Sequence, residues 1–230
     1  MLGRNLMIIG RFDAARIEFE QAAHLNPESP EIHYNLGKLF SIQDDYPPAK
    51  GELEEAIRLD PSYIEAYDAL GFALEALGDD AGAVTNYERA IRLNESRGGT
   101  FVGGHVNLSA YYNRTQNAEK ALEHARKATE INPKSDRAWF QMGKAFERLA
   151  GLPAAADALN RAISINPRAS SYYYVLATVY RRLGQMQESR AAMESFTRLE
   201  RETNELEKKR REINRNAEPV SARPDGGGHD

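Results

Sequence analysis

The sequence contains no cysteine, which excludes disulfides, thiolate zinc sites and a cysteine nucleophile. It has no apolar run approaching the ~20 residues that cross a bilayer. The opening MLGRNLMIIG is interrupted too soon by Arg11 and Asp13 to read as a secretory signal. Net charge is small: 30 Lys and Arg against 34 Asp and Glu leave −4, whereas a nucleic-acid binder shows a strongly basic face. Strand signals are scarce, because β-rich pieces such as SYYYV at 171–175 sit inside a helical period. The stretch SRGGTFVGGHVN at 96–107 carries two glycine pairs but neither the GxxxxGK[ST] nor the GxGxxG spacing of a phosphate cradle, and no strand precedes it. No GxSxG nucleophile elbow occurs. The five histidines, His24, His33, His105, His124 and His229, include no i,i+4 pair of the kind that holds a metal on a helix. The reading is therefore of a non-enzyme, with no catalytic residue, cofactor, metal or small-molecule substrate.

What the sequence does have is a repeat. AAHLNP at 22–27, AIRLDP at 56–61, ATEINP at 128–133 and AISINP at 162–167 end successive segments alike, and AIRLNE at 90–95 shares the ending with Glu95 in place of proline. Each segment begins with a helix-like run: YNLGKLF at 34–40, DALGFAL at 68–74, FQMGKAF at 140–146 and YVLATVY at 174–180. The intervals from Pro27 to Pro61 and from Pro133 to Pro167 both equal the ~34 residues of a helix–turn–helix repeat.

This pattern resembles the tetratricopeptide repeat family over roughly residues 1–201. The family's succession of aromatic, Leu-Gly, aromatic, Ala, aromatic, Ala and Pro falls on Trp139, Met142, Gly143, Phe146, Ala155, Leu159, Ala162 and Pro167. It falls again on Tyr67, Leu70, Gly71, Leu74, Ala83, Tyr87 and Ala90, and on His33, Leu36, Gly37, Phe40, Ala49, Leu53, Ala56 and Pro61. The resemblance implies an all-α, right-handed superhelical solenoid of antiparallel helix pairs. Glycine at 37, 71 and 143 suits a helix crossing, since mid-helix glycine costs ~1 kcal/mol relative to alanine and so needs a packing reason. Ser109 and Ala177 stand at the crossing position in the fourth and sixth repeats, with Ala125 and Ser189 in their second helices, so looser packing is expected there. Ser62 with Glu65 reads as a capping box, and Ser29–Pro30 as a cap with proline at the first helical position.

The organisation reads as a block at 1–95 (a partial first repeat plus two), a glycine-rich loop at 96–101, a block of three repeats at 102–201, a charged helix at 202–215 and a disordered tail at 216–230. The glycines are read as inter-repeat spacing and as a hinge between two semi-independent blocks. His33 and His105 are read as packing residues at the place of Trp139 and Tyr67. Leu199, Leu206 and Ile213 recur every seven residues, but Thr203 and Arg210 between them are polar, so the charged helix is read as a cap rather than a coiled coil.

A stacked helical array leaves its first helices lining a concave face. On that face the family resemblance places a peptide-binding groove at Tyr34, Asn35, Lys38, Phe72, Asn107, Arg114, Arg137, Phe140, Gln141, Lys144, Arg148, Tyr174, Arg181 and Arg182. The third repeat contributes acids, the fifth and sixth contribute cations and aromatics, so an acidic or extended peptide is the expected occupant. A chaperone-tail clamp is excluded because Asp68 stands where the leading lysine belongs, and the asparagine ladder suggested by Asn35 and Asn107 is broken at Ala69 and Val175. The expected partner is a protein or peptide, with a monomer as the default state and a cytoplasmic location as the default compartment. The alternative is a regulatory or substrate-presenting arm of a larger enzyme or envelope assembly, since Leu2–Gly3 already occupies the Leu-Gly position and the chain reads as starting inside a repeat.

Overall fold

The computed structural model describes residues 2–217; the expected tail lies, from 218 onward, outside the described residues. Every described element is an α-helix, and the helices form six antiparallel pairs. These are α1 (Leu2–Ile9) with α2 (Phe12–Leu25), α3 (Pro30–Ile42) with α4 (Tyr46–Leu59), α5 (Ile64–Ala76) with α6 (Asp80–Ser96), α7 (Gly103–Arg114) with α8 (Ala118–Ile131), α9 (Asp136–Arg148) with α10 (Leu152–Ile165), and α11 (Ser170–Arg182) with α12 (Met186–Ala217). Successive first helices from α3 to α11 touch one another, and successive second helices make no comparable contact. The first helices therefore form the inner wall of the solenoid.

One backbone device closes every pair. A single residue in the left-handed region ends each first helix, at Gly10, Asp44, Gly78, Gln116, Ala150 and Gly184. The next amide bonds back to a first-helix carbonyl five residues earlier, as in Asp79 N to Leu74 O at 2.9 Å and Gly151 N to Phe146 O at 2.9 Å. This geometry satisfies carbonyls that the helix end would otherwise leave unpaired. The enlarged interval between Gly78 and Gln116 contains the glycine-rich loop.

The crossing glycines behave as the sequence implies. A Cβ at Gly37 would stand 2.5 Å from Leu53 Cγ, one at Gly71 would stand 2.6 Å from the Tyr87 ring, and one at Gly143 would stand 2.7 Å from Leu159 Cγ. In the fourth repeat both partners change together: Ser109 faces the small Ala125 helix, both are fully buried, and the Ser109 hydroxyl donates to Ala121 O at 2.7 Å. In the sixth repeat the bond runs the other way, from Ser189 on the second helix to Ala177 O on the first, at 2.8 Å. These hydroxyl–carbonyl bonds stand where the other repeats use a glycine beneath a large side chain.

The turns between pairs are also locked. Tyr67 OH donates to Pro61 O at 3.3 Å, Trp139 Nε1 to Pro133 O at 2.9 Å and Tyr173 OH to Pro167 O at 3.1 Å, and His33 Nε2 lies 2.9 Å from Pro27 O. The helix starts differ from the sequence reading. Helix α5 begins at Ile64 with Tyr63 as its N-cap, and Ser62 instead bonds Asp60 through both its amide and its hydroxyl, so no Ser62–Glu65 box forms. Ser29 is the N-cap of α3 with Pro30 at its first turn, but its hydroxyl donates to the Glu31 carboxylate rather than receiving an amide.

Helix α12 runs unbroken for 32 residues, so the charged segment continues the last repeat's second helix. Leu199 is buried, while Leu206 and Ile213 are 56% and 67% exposed. Beyond the last repeat α12 reaches back to the first. Arg210 Nε donates to Ile9 O at 2.9 Å, and its guanidinium lies 5.7 Å from the Phe12 ring centre.

Candidate functional site

Five of the expected groove residues line one depression of about 560 Å³ on the inner wall: Tyr34, Lys38, Phe72, Asn107 and Arg137. Ile42, Glu65, Asp68 and Phe101 complete its apolar and acidic sides. Phe72 is 47% exposed and Ile42 49%, so the depression presents two large apolar side chains side by side with its polar groups. A relay crosses three repeats along this wall. Arg137 Nη2 donates to Asn107 Oδ1 at 3.0 Å, and Asn107 Nδ2 donates to Asp68 Oδ1 at 2.8 Å. Burial pushes the Asp68 carboxyl up to about 6, against the pull of the Asn107 bond and the Arg137 charge, and Glu65 adds to the rise.

Phe101 reaches this site because of the glycine-rich loop. Asn94, buried at the end of α6, accepts from Phe101 N at 3.1 Å and donates to Gly99 O at 3.2 Å. Gly98 takes a φ of +59°. A Cβ at Gly103 would overlap the Phe101 ring and stand 2.7 Å from Asp68 Oδ2. The glycines let the loop fold its aromatic residue over the groove. Sequence reading missed Phe101 because it lies in the inserted segment, where the repeat register gives no counterpart.

The rest of the expected groove is more occupied than its residue types suggest. Asn35 donates to Glu31 O at 2.6 Å within its own helix. Arg114 is bound to Glu75 and Asp80, both at 3.2 Å, and Arg182 to Glu147 at 3.2 Å. Gln141 is buried, and its side-chain and backbone oxygens both receive Asn113 Nδ2 at 3.0 Å, so it joins α9 to α7 instead of facing a ligand. Phe140 stacks on Tyr172 with ring centres 4.5 Å apart, with the Lys144 ammonium 5.6 Å from the Phe140 ring centre. Tyr174 leans on Phe196 of α12 at 5.4 Å. Burial, and after it the neighbouring Arg148 charge, holds the Lys144 ammonium below the ordinary lysine range, with Glu147 pulling the other way. Arg148 and Arg181 are exposed.

A second polar cluster lies between α7 and α8. His105 Nδ1 stands 3.0 Å from His124 Nδ1, and His124 stacks on Tyr112 at 5.7 Å. Burial, with the His124 charge second, pulls His105 down to about 4. The same register in the second repeat pairs His33 with Glu52 at 2.7 Å. Burial opposes protonation there as well, but the Glu52 and Pro27 bonds outweigh it and raise the His33 pKa. The histidine pair joins residues on two different helices, so an i,i+4 scan does not find it. Among the described residues no group of three or more potential ligands is placed to hold a metal.

Family models described as TPR repeat and Tetratricopeptide repeat match residues 3–44, 30–63, 64–97, 103–135 and 140–200. No curated protein is significantly similar to the chain. Among solved structures, the Cut9–Hcn1 hetero-tetramer of the APC/C matches with a TM-score of 0.77 and 18% identity, over 86% of this chain and 39% of that one. IFIT1 with Gppp-AAAA matches with a TM-score of 0.67 and 19% identity, over 81% of this chain and 46% of that one. YrrB, described as a TPR protein with an unusual peptide-binding site, matches with a TM-score of 0.55 and 19% identity, over 79% of this chain and 91% of that one. This chain thus spans less than half the length of two of these proteins. The repeat models that tile residues 3–200, together with the six helix pairs, show that the chain belongs to the tetratricopeptide repeat family.

Proposed function

We propose that the chain is a non-enzymatic scaffold that holds an extended peptide along its inner wall, with an apolar side chain of that peptide seated between α3, α5 and the 97–102 loop. The observation that carries this reading is the exposure of Phe72 and Ile42 inside a depression whose rim supplies Lys38, Glu65, Asp68 and Arg137. Exposed aromatic and aliphatic anchors surrounded by polar groups are the usual composition of an interface centre. YrrB, a relative in fold, has a peptide-binding site, and Cut9 assembles with Hcn1. IFIT1 shares the fold and carries a capped nucleotide chain, but the depression here sets Glu65 and Asp68 against Lys38 and Arg137 and has no excess of positive charge for a phosphate chain.

The test is selection of peptides from a phage-displayed random dodecapeptide library, run in parallel on the native chain and on Phe72→Glu. Enrichment of related sequences by the native chain and their loss from the variant, with unchanged helical circular dichroism, is the expected result. Equal enrichment by both proteins would place the binding surface elsewhere.

A further inference from the structure

The inner wall carries a series of inter-repeat ion pairs with one member missing. Three first helices end on arginine at the same register: Arg114, Arg148 and Arg182. Arg114 Nε donates to Glu75 Oε1 of the preceding repeat at 3.2 Å. Arg182 Nη1 donates to Glu147 Oε1 of its preceding repeat at 3.2 Å, and to the Glu147 carbonyl at 3.3 Å. Glu75 and Glu147 each follow their crossing glycine, Gly71 and Gly143, by the same interval. The residue at that place in the fourth repeat, opposite Arg148, is Asn113.

Asn113 does not substitute for the glutamate. It is fully buried, its Nδ2 is divided between the two oxygens of Gln141, and its Oδ1 accepts no hydrogen bond. Arg148 makes no ion pair among the described residues. Lys144, one turn earlier on α9, is half-buried beside Arg148 and makes no ion pair among the described residues; the Glu147 carboxylate acts on it only through its charge and is itself bonded to Arg182. Two neighbouring cations, one of them partly desolvated, therefore stand on the wall with no carboxylate of the described residues bonded to either, between rungs that have one.

Resting on the groove reading above, we infer that Arg148 and Lys144 receive a carboxylate of the bound peptide, in the place that a glutamate of the chain fills in the flanking repeats. The flanking rungs specify the chemistry: a guanidinium at this register takes a carboxylate, and a charge-assisted pair of this kind is stronger than a neutral hydrogen bond. The carboxylate comes from an Asp or Glu side chain or from the peptide's own C-terminus. The missing Glu thus turns an internal staple into a recognition point, and gives the groove a polarity. An apolar side chain sits near Phe72 and an acidic group two repeats later at Arg148.

The test uses dodecapeptides selected by the native chain, titrated by fluorescence anisotropy in three forms: unmodified, C-terminally amidated, and with each Asp or Glu changed to its amide. One neutralised form is expected to bind the native chain about tenfold more weakly, and that difference is expected to vanish in Arg148→Gln. Loss on amidation assigns the terminus; loss on side-chain replacement assigns Asp or Glu. Asn113→Glu supplies the missing carboxylate internally, and should weaken the unmodified peptide while leaving the neutralised one unchanged. Arg148 is exposed, so its variant reports even where the buried Asn113 variant does not fold. If Arg148→Gln binds every form as the native chain does, while Phe72→Glu abolishes binding, the groove reading stands and the carboxylate site is overturned. If the native chain selects no peptide, both fall.

Discussion

The inner wall has two unlike halves. Between α3 and α7 it opens into a depression with exposed Phe72 and Ile42. Between α9 and α11 the wall is more fully paired, since Phe140 stacks on Tyr172 and Arg182 holds Glu147, although Tyr174, leaning on Phe196, is still 52% exposed. The junction between the third and fourth repeats adds Phe101 to the depression, whose Ile42 and Phe72 lie on α3 and α5. Elsewhere a proline turn, locked by an aromatic side chain on its carbonyl, sets one repeat closely on the next. At this junction α6 is longer, the proline is absent, and Asn94 holds a glycine loop that carries Phe101 into the wall. Added length at one joint thus places one more aromatic side chain, Phe101, on the lining of the depression.

The strongest way to break this contrast is to disturb the joint. Gly104 lets α7 approach α6 closely, because a Cβ there would stand 2.8 Å from Tyr87 O and 2.9 Å from Ile91 Cγ1. Gly104→Val should therefore force the helices apart and cost about 3 kcal/mol, read as a lowered midpoint in urea unfolding. A midpoint within experimental error of native would show that the joint is not packed as described.

Two histidines at equal register sharpen the comparison through pH. The folded pKa of His105 lies below its unfolded value, so its contribution to stability is present above about 6.5 and is lost as pH falls toward about 4. At ~1.4 kcal/mol per unit, the loss is at most about 3.5 kcal/mol, and His105→Phe should remove this contribution while leaving that of His124, whose pKa burial also lowers. The folded pKa of His33 is raised by the Glu52 and Pro27 bonds over the opposing effect of burial, so its contribution is present below 6.5 and is lost as pH rises through the folded value. Relative to the native chain, the slope of stability against pH should change in opposite directions in His105→Phe and His33→Phe. Changes in the same direction would refute the assignment.

A smaller effect is expected at the loop itself. Asn94→Ala removes the side-chain bonds to Gly99 and Phe101 and should cost about 1–2 kcal/mol. Amide exchange at 97–102 should quicken while that of α8 stays as in the native chain. This also probes the hinge reading: if the loop couples the two blocks rigidly, exchange in α7 will rise along with it.

Much of this architecture is legible in the sequence because packing imposes one residue type at a repeating position. Glycine at 37, 71 and 143 has no alternative beneath Leu53, Tyr87 and Leu159, so the period is printed in the chain. The site is less legible because a groove residue's availability depends on a partner in another repeat. Arg114 and Arg148 look equivalent in sequence, and the Glu75 and Asn113 opposite them make one a staple and leave the other without an ion pair among the described residues. Gln141 looks like a groove amide until Asn113 is seen beneath it. Local capping motifs mislead for a similar reason: Ser62 had Asp60 nearer than the helix amides.

The central claim is that the occupant lies in the depression beside Phe72. A photo-crosslinking amino acid, p-benzoylphenylalanine, placed at position 72 tests it directly, with the same group at Ile17 on α2, which is exposed but remote from the depression, as control. A selected peptide should crosslink from position 72 and not from position 17. Crosslinking from position 17 alone, or equally from both, would contradict the account.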